Sequence, residues 1–349
     1  MKILLDIGHP AHVHYFKFVI KNLEKKGHKF LIIARNKDVT HQLLQNYSIN
    51  FISRGKGSNN LIVKFFYLFY AEIIMLYQSL KFKPDVFMSF ASPYACHVSY
   101  FLNKPHYAFT DTEHANILNK ILLKYSKFII TPKSFKGDFG EKHIRFNGFF
   151  ELCYLHPNYF IPEIESLNSL GIDEGNKYVI LRFVSWGASH DKGLTGMDIK
   201  DKRYLVRELS KFVKVFISSE SELPDDLKKY QIKIDPHKMH DIMAFCSYFL
   251  GESGTMAAEC AILGTPAIQI SGLKEGTIGT LNTLDKKYNL IRIYEKYDNS
   301  IFRTLKKHIN DESYYKKIED NRTAFINKNI DVTSFIAELI ESYNYENKQ

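Results

Sequence analysis

Short runs of β-branched and aromatic residues alternate with longer helix-like stretches through the first half of the chain. The runs are residues 2–7, 29–34, 50–53, 85–90, 106–110 and 127–131. This is the pattern of a parallel sheet with crossover helices. A polar stretch at 168–177 precedes a second series at 178–184, 213–218, 232–234, 248–250, 267–270 and 290–293. The prediction is an α/β chain of two doubly wound, Rossmann-like domains, residues 1–165 and 166–330. From about Asn299 the tail reads as helices, and the last one, 331–349, is expected to pack back on the body. Ligands in open α/β sheets gather at the carboxyl ends of strands, so two such sheets facing each other predict a site in the cleft between them.

One stretch departs from the usual sheet-packing pattern. Residues 61–80 are apolar and aromatic, interrupted by Lys64 and Glu72, charges that argue against a membrane span. On a helix at 100° per residue, Asn60, Lys64, Glu72 and Ser79 form one narrow polar stripe. Phe65, Phe66, Phe69, Ile73, Leu76 and Leu80 cover the rest, more than packing on one sheet face needs. The expectation is a buried or interdomain contact. A membrane-facing patch, helped by Lys81 and Lys83, is the alternative.

Composition narrows the class. With 349 residues, 45% of them hydrophobic, the chain has core enough for one large or two ordinary domains and is neither disordered nor fibrous. The formal charge is +9, carried by 38 Lys and nine Arg scattered along the chain, which favours anionic partners. With no dense basic tract or nucleic-acid motif, nucleic acid ranks last among them. Cys96, Cys153, Cys246 and Cys260 are far apart in apolar stretches and read as reduced core residues of a cytosolic protein. Lys2 and Asp6 flank the first strand with no apolar leader behind it, so no signal peptide is expected.

The clearest chemical signal runs from Tyr248 to Ile268: a strand ending at Gly251, a Ser253-Gly254-Thr255 turn, a helix opening at once and closing at Gly264, and a Gly-Thr-Pro exit. Helix-start N–H groups and the two hydroxyls form a socket for phosphate oxygens, and Gly254 permits close approach. Glu259, one turn inside, is placed to accept ribose hydroxyls; the alternative is a plain Ser cap with a solvated Glu. A second signal, the turn after the first strand, holds His9, His12 and His14. No Cys or carboxylate lies near them at zinc spacing, so no metal is expected, whereas imidazole suits a general base at neutral pH. Helix-capping or core roles are the alternatives for His9 and His14. Asp111 or Glu113, after the fifth run, would orient an imidazole or cap a helix. Arg182, Ser185 and the backbone at Gly187 are candidates to face a diphosphate, beside Trp186, which is equally an interdomain packing residue.

Four segments together, D-I-G-H-P-A-H-V-H-Y-F-K, D-T-E-H-A, R-F-V-S-W-G-A-S-H-D and G-E-S-G-T-M-A-A-E-C-A-I-L-G-T-P-A, resemble domain-of-unknown-function family 354 over nearly the whole chain. That family looks like a branch of the GT-B superfamily. The superfamily includes the lipid-linked N-acetylglucosaminyltransferase of peptidoglycan synthesis, plant-type nucleotide-sugar transferases and hydrolysing UDP-GlcNAc 2-epimerases. The resemblance implies that the second domain binds a nucleotide sugar, with Ser253, Gly254 and Thr255 on the diphosphate and Glu259 on the ribose. It also implies a base at His12 paired with Asp111, ninety-nine residues later. Ala11 departs from the Gly often found there, and His14 competes with His12. Glu252 and Glu259 have six residues between them rather than the seven of retaining relatives, which favours inversion. No D-x-D motif stands at a phosphate turn, and GT-B enzymes use helix dipoles and basic side chains rather than a divalent ion, so no metal or other cofactor is expected.

The reading is an inverting glycosyltransferase that moves a sugar from a nucleotide donor, UDP-linked by preference, to a hydroxyl of a surface-glycan or lipid-linked acceptor. It is expected to be cytoplasmic, at the inner face of the membrane. A UDP-sugar hydrolase or 2-epimerase of the same fold and a non-catalytic sugar-nucleotide-binding protein are the alternatives.

Overall fold

A computed structural model describes residues 1–57, 61–184, 196–272 and 276–346. The chain forms two compact units, Met1–Tyr159 with Asn329–Gln349, and Phe160–Lys328. In the first, β1 (Lys2–Ile7), α1 (Pro10–Lys25), β2 (Lys29–Ala34), α2 (Thr40–Asn46) and β3 (Ile52–Ser53) are followed by α3 (Leu61–Phe82), β4 (Val86–Phe90) and α4 (Pro93–Phe101). Then come β5 (His106–Phe109), α5 (Asn116–Tyr125), β6 (Phe128–Pro132), β7 (His143–Phe146) and α6 (Leu152–Leu155). The strands pair in parallel in the order β3-β2-β1-β4-β5-β6-β7. Buried Leu4, Phe87 and Ala108 of this sheet meet Val98 and Cys96 of α4, Met75 of α3 and Leu122 of α5.

The second unit contains β8 (Tyr178–Phe183), α7 (Ile199–Leu209), β9 (Lys214–Ser219), α8 (Asp225–Lys228), α9 (Met239–Phe245), β10 (Tyr248–Gly251), α10 (Gly254–Leu263) and β11 (Ala267–Ile270). It continues through α11 (Gly279–Asn282), β12 (Ile291–Tyr294), α12 (Asn299–His308) and α13 (Glu312–Lys328). Its parallel sheet has the order β12-β11-β10-β8-β9. Leu181, Leu250 and Ile268 of the strands form its core with Leu205 of α7 and with Ile301 and Leu305 of α12. The last helix, α14 (Val332–Glu346), returns to the first unit and packs on α1 and α6.

Three elements differ from the sequence pattern. β7 is a strand whose His-Ile-Arg-Phe sequence is too polar to stand out. Residues 232–234 are not a strand, because only a single bridge joins Gln231 to Ile217 before Pro236 turns the chain. The third is the orientation of α3, which is the reverse of the projection. Ala71, Met75 and Ser79 face inward, while Phe66, Phe69, Ile73 and Leu80 are exposed, so the expected burial of the apolar surplus is not observed. Small residues let the helix approach its neighbours, and Ser79 satisfies its buried hydroxyl on the Met75 carbonyl at 2.7 Å. Glu72 is hydrogen-bonded to His97 of α4. No helix among the described residues is long and apolar enough to cross a membrane.

Candidate functional site

In the first sheet the strand order reverses between β1 and β4, the place where a doubly wound sheet opens a crevice. β1 runs into Gly8 and His9. His9 caps α1, its Nδ1 accepting the Ala11 N–H at 3.2 Å, and Pro10 occupies the first helical position, where a missing N–H costs nothing. His12 lies one turn on, its ring 4.8 Å from that of Phe90 at the end of β4. Its Nδ1 accepts the Gly8 N–H at 3.3 Å, so the neutral ring carries its proton on Nε2. Burial, reinforced by the neighbouring His9 ring and the positive charges of Lys37 and Arg54, holds its pKa well below the ordinary histidine value and keeps it neutral at pH 7.

His14, two residues further, points about 200° away around the helix. It is buried, stacked on Tyr154 at 5.2 Å with its Nδ1 3.5 Å from the Tyr47 hydroxyl. Of the two candidate bases, His12 alone lies at the strand-order reversal. Asp111, two residues past β5, is partly buried and accepts the Thr112 hydroxyl at 3.1 Å. Burial, with the Glu113 charge acting in the same direction against the Thr112 bond, pushes its carboxyl up to about 6. Among the described residues no hydrogen bond or ion pair joins Asp111 to His12. No group of three His, Cys, Asp or Glu among those residues converges as a metal would require.

A charged network beneath the turn escaped the sequence reading. Asp6, fully buried in β1, receives Arg54 Nε at 2.9 Å and Nη2 at 3.3 Å, and the Ser92 hydroxyl. Arg54 also donates to the Tyr67 hydroxyl at 2.7 Å, and its guanidinium lies 4.5 Å from the centre of the Tyr94 ring. Burial opposes the charge of Arg54, but Asp6 and the two tyrosines outweigh it and raise its pKa. Ser92 caps α4, and Ala91 before it is held at φ 50°, a left-handed backbone that a non-glycine residue adopts only under constraint. The available signal was a carboxylate ending an otherwise apolar strand.

The second sheet reverses order between β8 and β10, and the Ser253-Gly254-Thr255 turn follows β10 directly. Ser253 Oγ accepts the Met256 N–H at 3.3 Å and caps α10. The first N–H groups of a helix have no partner within it, so the turn presents donors and the positive end of the helix dipole to an anion. Glu252 beside it is turned away. Its carboxylate accepts the Val184 N–H at 2.9 Å and the Met197 N–H at 2.6 Å, and Lys202 Nζ lies 3.3 Å off. A Cβ on Gly254 would come within 2.9 Å of Leu281 and 3.0 Å of Gln269 Nε2, so side chains are excluded there. Gln269 is buried with its Oε1 unpartnered, a second feature hidden in an apparently apolar strand.

The other candidates are already engaged. Glu259 is buried and accepts His240 Nε2–H at 3.1 Å, so it is not the open ribose acceptor expected from its place in the helix. Arg182 donates to Ser218 Oγ at 2.8 Å and Glu220 Oε1 at 2.6 Å across β9, which turns its charge from the β8–β10 reversal. Ser185, Trp186 and Gly187 lie outside the described residues.

A family model described as protein of unknown function (DUF354) matches residues 1–278. The chain belongs to this family. It is 27% identical over 283 residues to the uncharacterized protein MJ0665 of Methanocaldococcus jannaschii, covering 77% of this chain and 81% of that one. Among solved structures, UDP-GlcNAc 2-epimerase from Neisseria meningitidis bound to UDP-GlcNAc superposes with a TM-score of 0.67 at 15% identity, over 98% of this chain and 100% of that one. The glycosyltransferase of kitacinnamycin gives 0.64 at 12% identity, over 98% of both chains. These likenesses establish the fold: the DUF354 chain is α/β, with the two Rossmann-like domains of the GT-B proteins.

Proposed function

We propose that the protein is an inverting glycosyltransferase using a nucleoside diphosphate sugar, UDP-linked by preference, and a hydroxyl of a surface-glycan or lipid-linked acceptor. The observation that carries this reading is the Ser253-Gly254-Thr255 turn. It lies at the strand-order reversal of the second sheet and opens a ten-residue helix, and the neighbouring carboxylate is drawn off by Lys202. Helix dipole and backbone N–H groups there compensate the charge that develops on a departing diphosphate without a metal. A UDP-GlcNAc-bound structure among the proteins of like fold supports the donor class.

His12 of the first unit is the proposed base. The acceptor hydroxyl gives its proton to the imidazole, its oxygen bonds to the anomeric carbon, and the bond from that carbon to the diphosphate oxygen breaks. Neutral His12 has one lone pair, at Nδ1, facing Gly8 across a long 3.3 Å bond, and loss of that weak bond frees it for the proton. Asp111, ionised at pH 7, is the candidate to stabilise the imidazolium.

His12→Ala should lower turnover by about 10²–10⁴, the usual contribution of a general base, and leave nucleotide affinity intact because the other unit holds the nucleotide. Turnover of candidate nucleotide sugars checks this, and full activity in His12→Ala would remove the base assignment. Release of free sugar at a full catalytic rate without acceptor would replace the transferase by the hydrolase of the same fold. Nucleotide binding without turnover of any sugar would leave the non-catalytic reading.

A further inference from the structure

α3 packs on α4 and α4 on α5, and large apolar side chains are exposed on all three helices. Phe66 is 66% exposed, Ile73 66%, Leu80 58%, Phe101 74% and Ile117 80%. Tyr70, Tyr77 and Tyr100 are exposed beside them. Between α3 and α4 lies an open groove of about 730 Å³ lined by Phe69, Ile73, Leu76, Val98, Phe101 and Tyr125. Scattered surface apolar residues are ordinary, but a contiguous patch across three helices marks an interaction surface.

The charges on these helices select the partner. They carry Lys64, Lys81, Lys120 and Lys124 against a single carboxylate, Glu72, which is hydrogen-bonded to His97. Lys81, Lys120 and Lys124 are exposed, and Lys81 and Lys124 lie over the Tyr77 and Tyr125 rings at 4.2 and 4.9 Å. Such a face repels a second copy of itself in a two-fold dimer and complements anionic headgroups. Apolar side chains for the acyl boundary, tyrosines for the headgroup level and lysines for the surface charge are the composition of an element that lies in the interface plane.

We propose that α3, α4 and α5 dock the first unit on an anionic membrane surface, lying on the bilayer without crossing it. The proposal does not rest on the glycosyltransferase reading. The residues concerned are not those assigned to the nucleotide or the base, so either can fail alone.

Cosedimentation of the full chain with vesicles tests it. Binding is expected at low salt to phosphatidylcholine vesicles containing phosphatidylglycerol, to weaken as salt is added, and to be slight on phosphatidylcholine alone. Ile73→Asp with Phe101→Asp should abolish binding. Each charge removal among Lys81→Gln, Lys120→Gln and Lys124→Gln should lower partitioning by about fivefold, the factor for roughly 1 kcal/mol per lysine. All five positions are exposed, so unchanged circular dichroism and melting temperature are expected to accompany these losses. Three results would overturn the proposal: no association with anionic vesicles at low salt, equal association with both vesicle types that ignores the lysine changes, or a dimer broken by Ile73→Asp in a chain that binds no vesicle.

Discussion

Asp111 is ionised at pH 7.5 although burial holds its carboxyl at about 6, against roughly 3.9 for an unfolded aspartate. Because the folded value is the higher, ionisation costs the folded state nothing below about pH 4, increasingly more from 4 to 6, and a constant amount above that. Asp111→Asn removes the cost and keeps an acceptor for Thr112. Its melting temperature should therefore rise above wild type over that window and stay above it to pH 8, while turnover falls. Melting curves from pH 4 to 8 check the sign, and a gap that closes as pH rises would refute it. Glu259 acts through a hydrogen bond. Glu259→Ala leaves His240 without its buried acceptor and should cost about 1.5–3 kcal/mol, whereas Glu259→Gln retains an oxygen there and most of the stability. Urea midpoints separate the two variants, and equal midpoints would mean that the His240 bond contributes nothing. At this scale the candidate residues were legible because each stands in a local motif. Their partners were not: Arg54 meets Asp6 across 48 positions and His240 meets Glu259 across 19, and spacing carries no trace of either contact.

Among the elements, strands buried on both faces are read easily because apolar residues dominate them, and β1, β4 and β10 are of this kind. β7 at the sheet edge alternates His143 and Arg145 with Ile144 and Phe146, too little apolar signal over four residues. In α3, hydrophobicity pointed to the wrong face. The inward stripe is Ala71, Met75 and Ser79, of which Ala71 and Ser79 are small enough for close approach, whereas Phe66, Phe69, Ile73 and Leu80 are turned outward. A hydrophobic projection assumes that the largest apolar side chains face the core, and that assumption fails where a second surface also requires them. The vesicle experiment is thus equally a test of why this helix breaks the pattern. The α10 start was legible in full, since a Ser cap, two small helix-opening residues and a glycine stop at φ 86° are all local devices.

At the scale of the molecule, alternation of strands and helices along the sequence was enough for two doubly wound sheets, but the strand orders required the structure. Those orders place His12 at one reversal and Ser253 at the other, and each sheet brings its own candidate chemistry to the position where such folds bind ligands. The claim that most needs testing is that the turn at Ser253 holds a nucleoside diphosphate. Ser253→Asp tests it with the fold preserved, because Asp caps a helix as well as Ser and its charge favours the helix start, yet that same charge repels a diphosphate. Calorimetric titration of wild type and Ser253→Asp with UDP is the direct measurement. Wild type is expected to bind UDP and the variant, with an undiminished melting temperature, to bind it about tenfold or more weakly, a loss of roughly 1.4 kcal/mol or more. Equal affinity in the two proteins would contradict it.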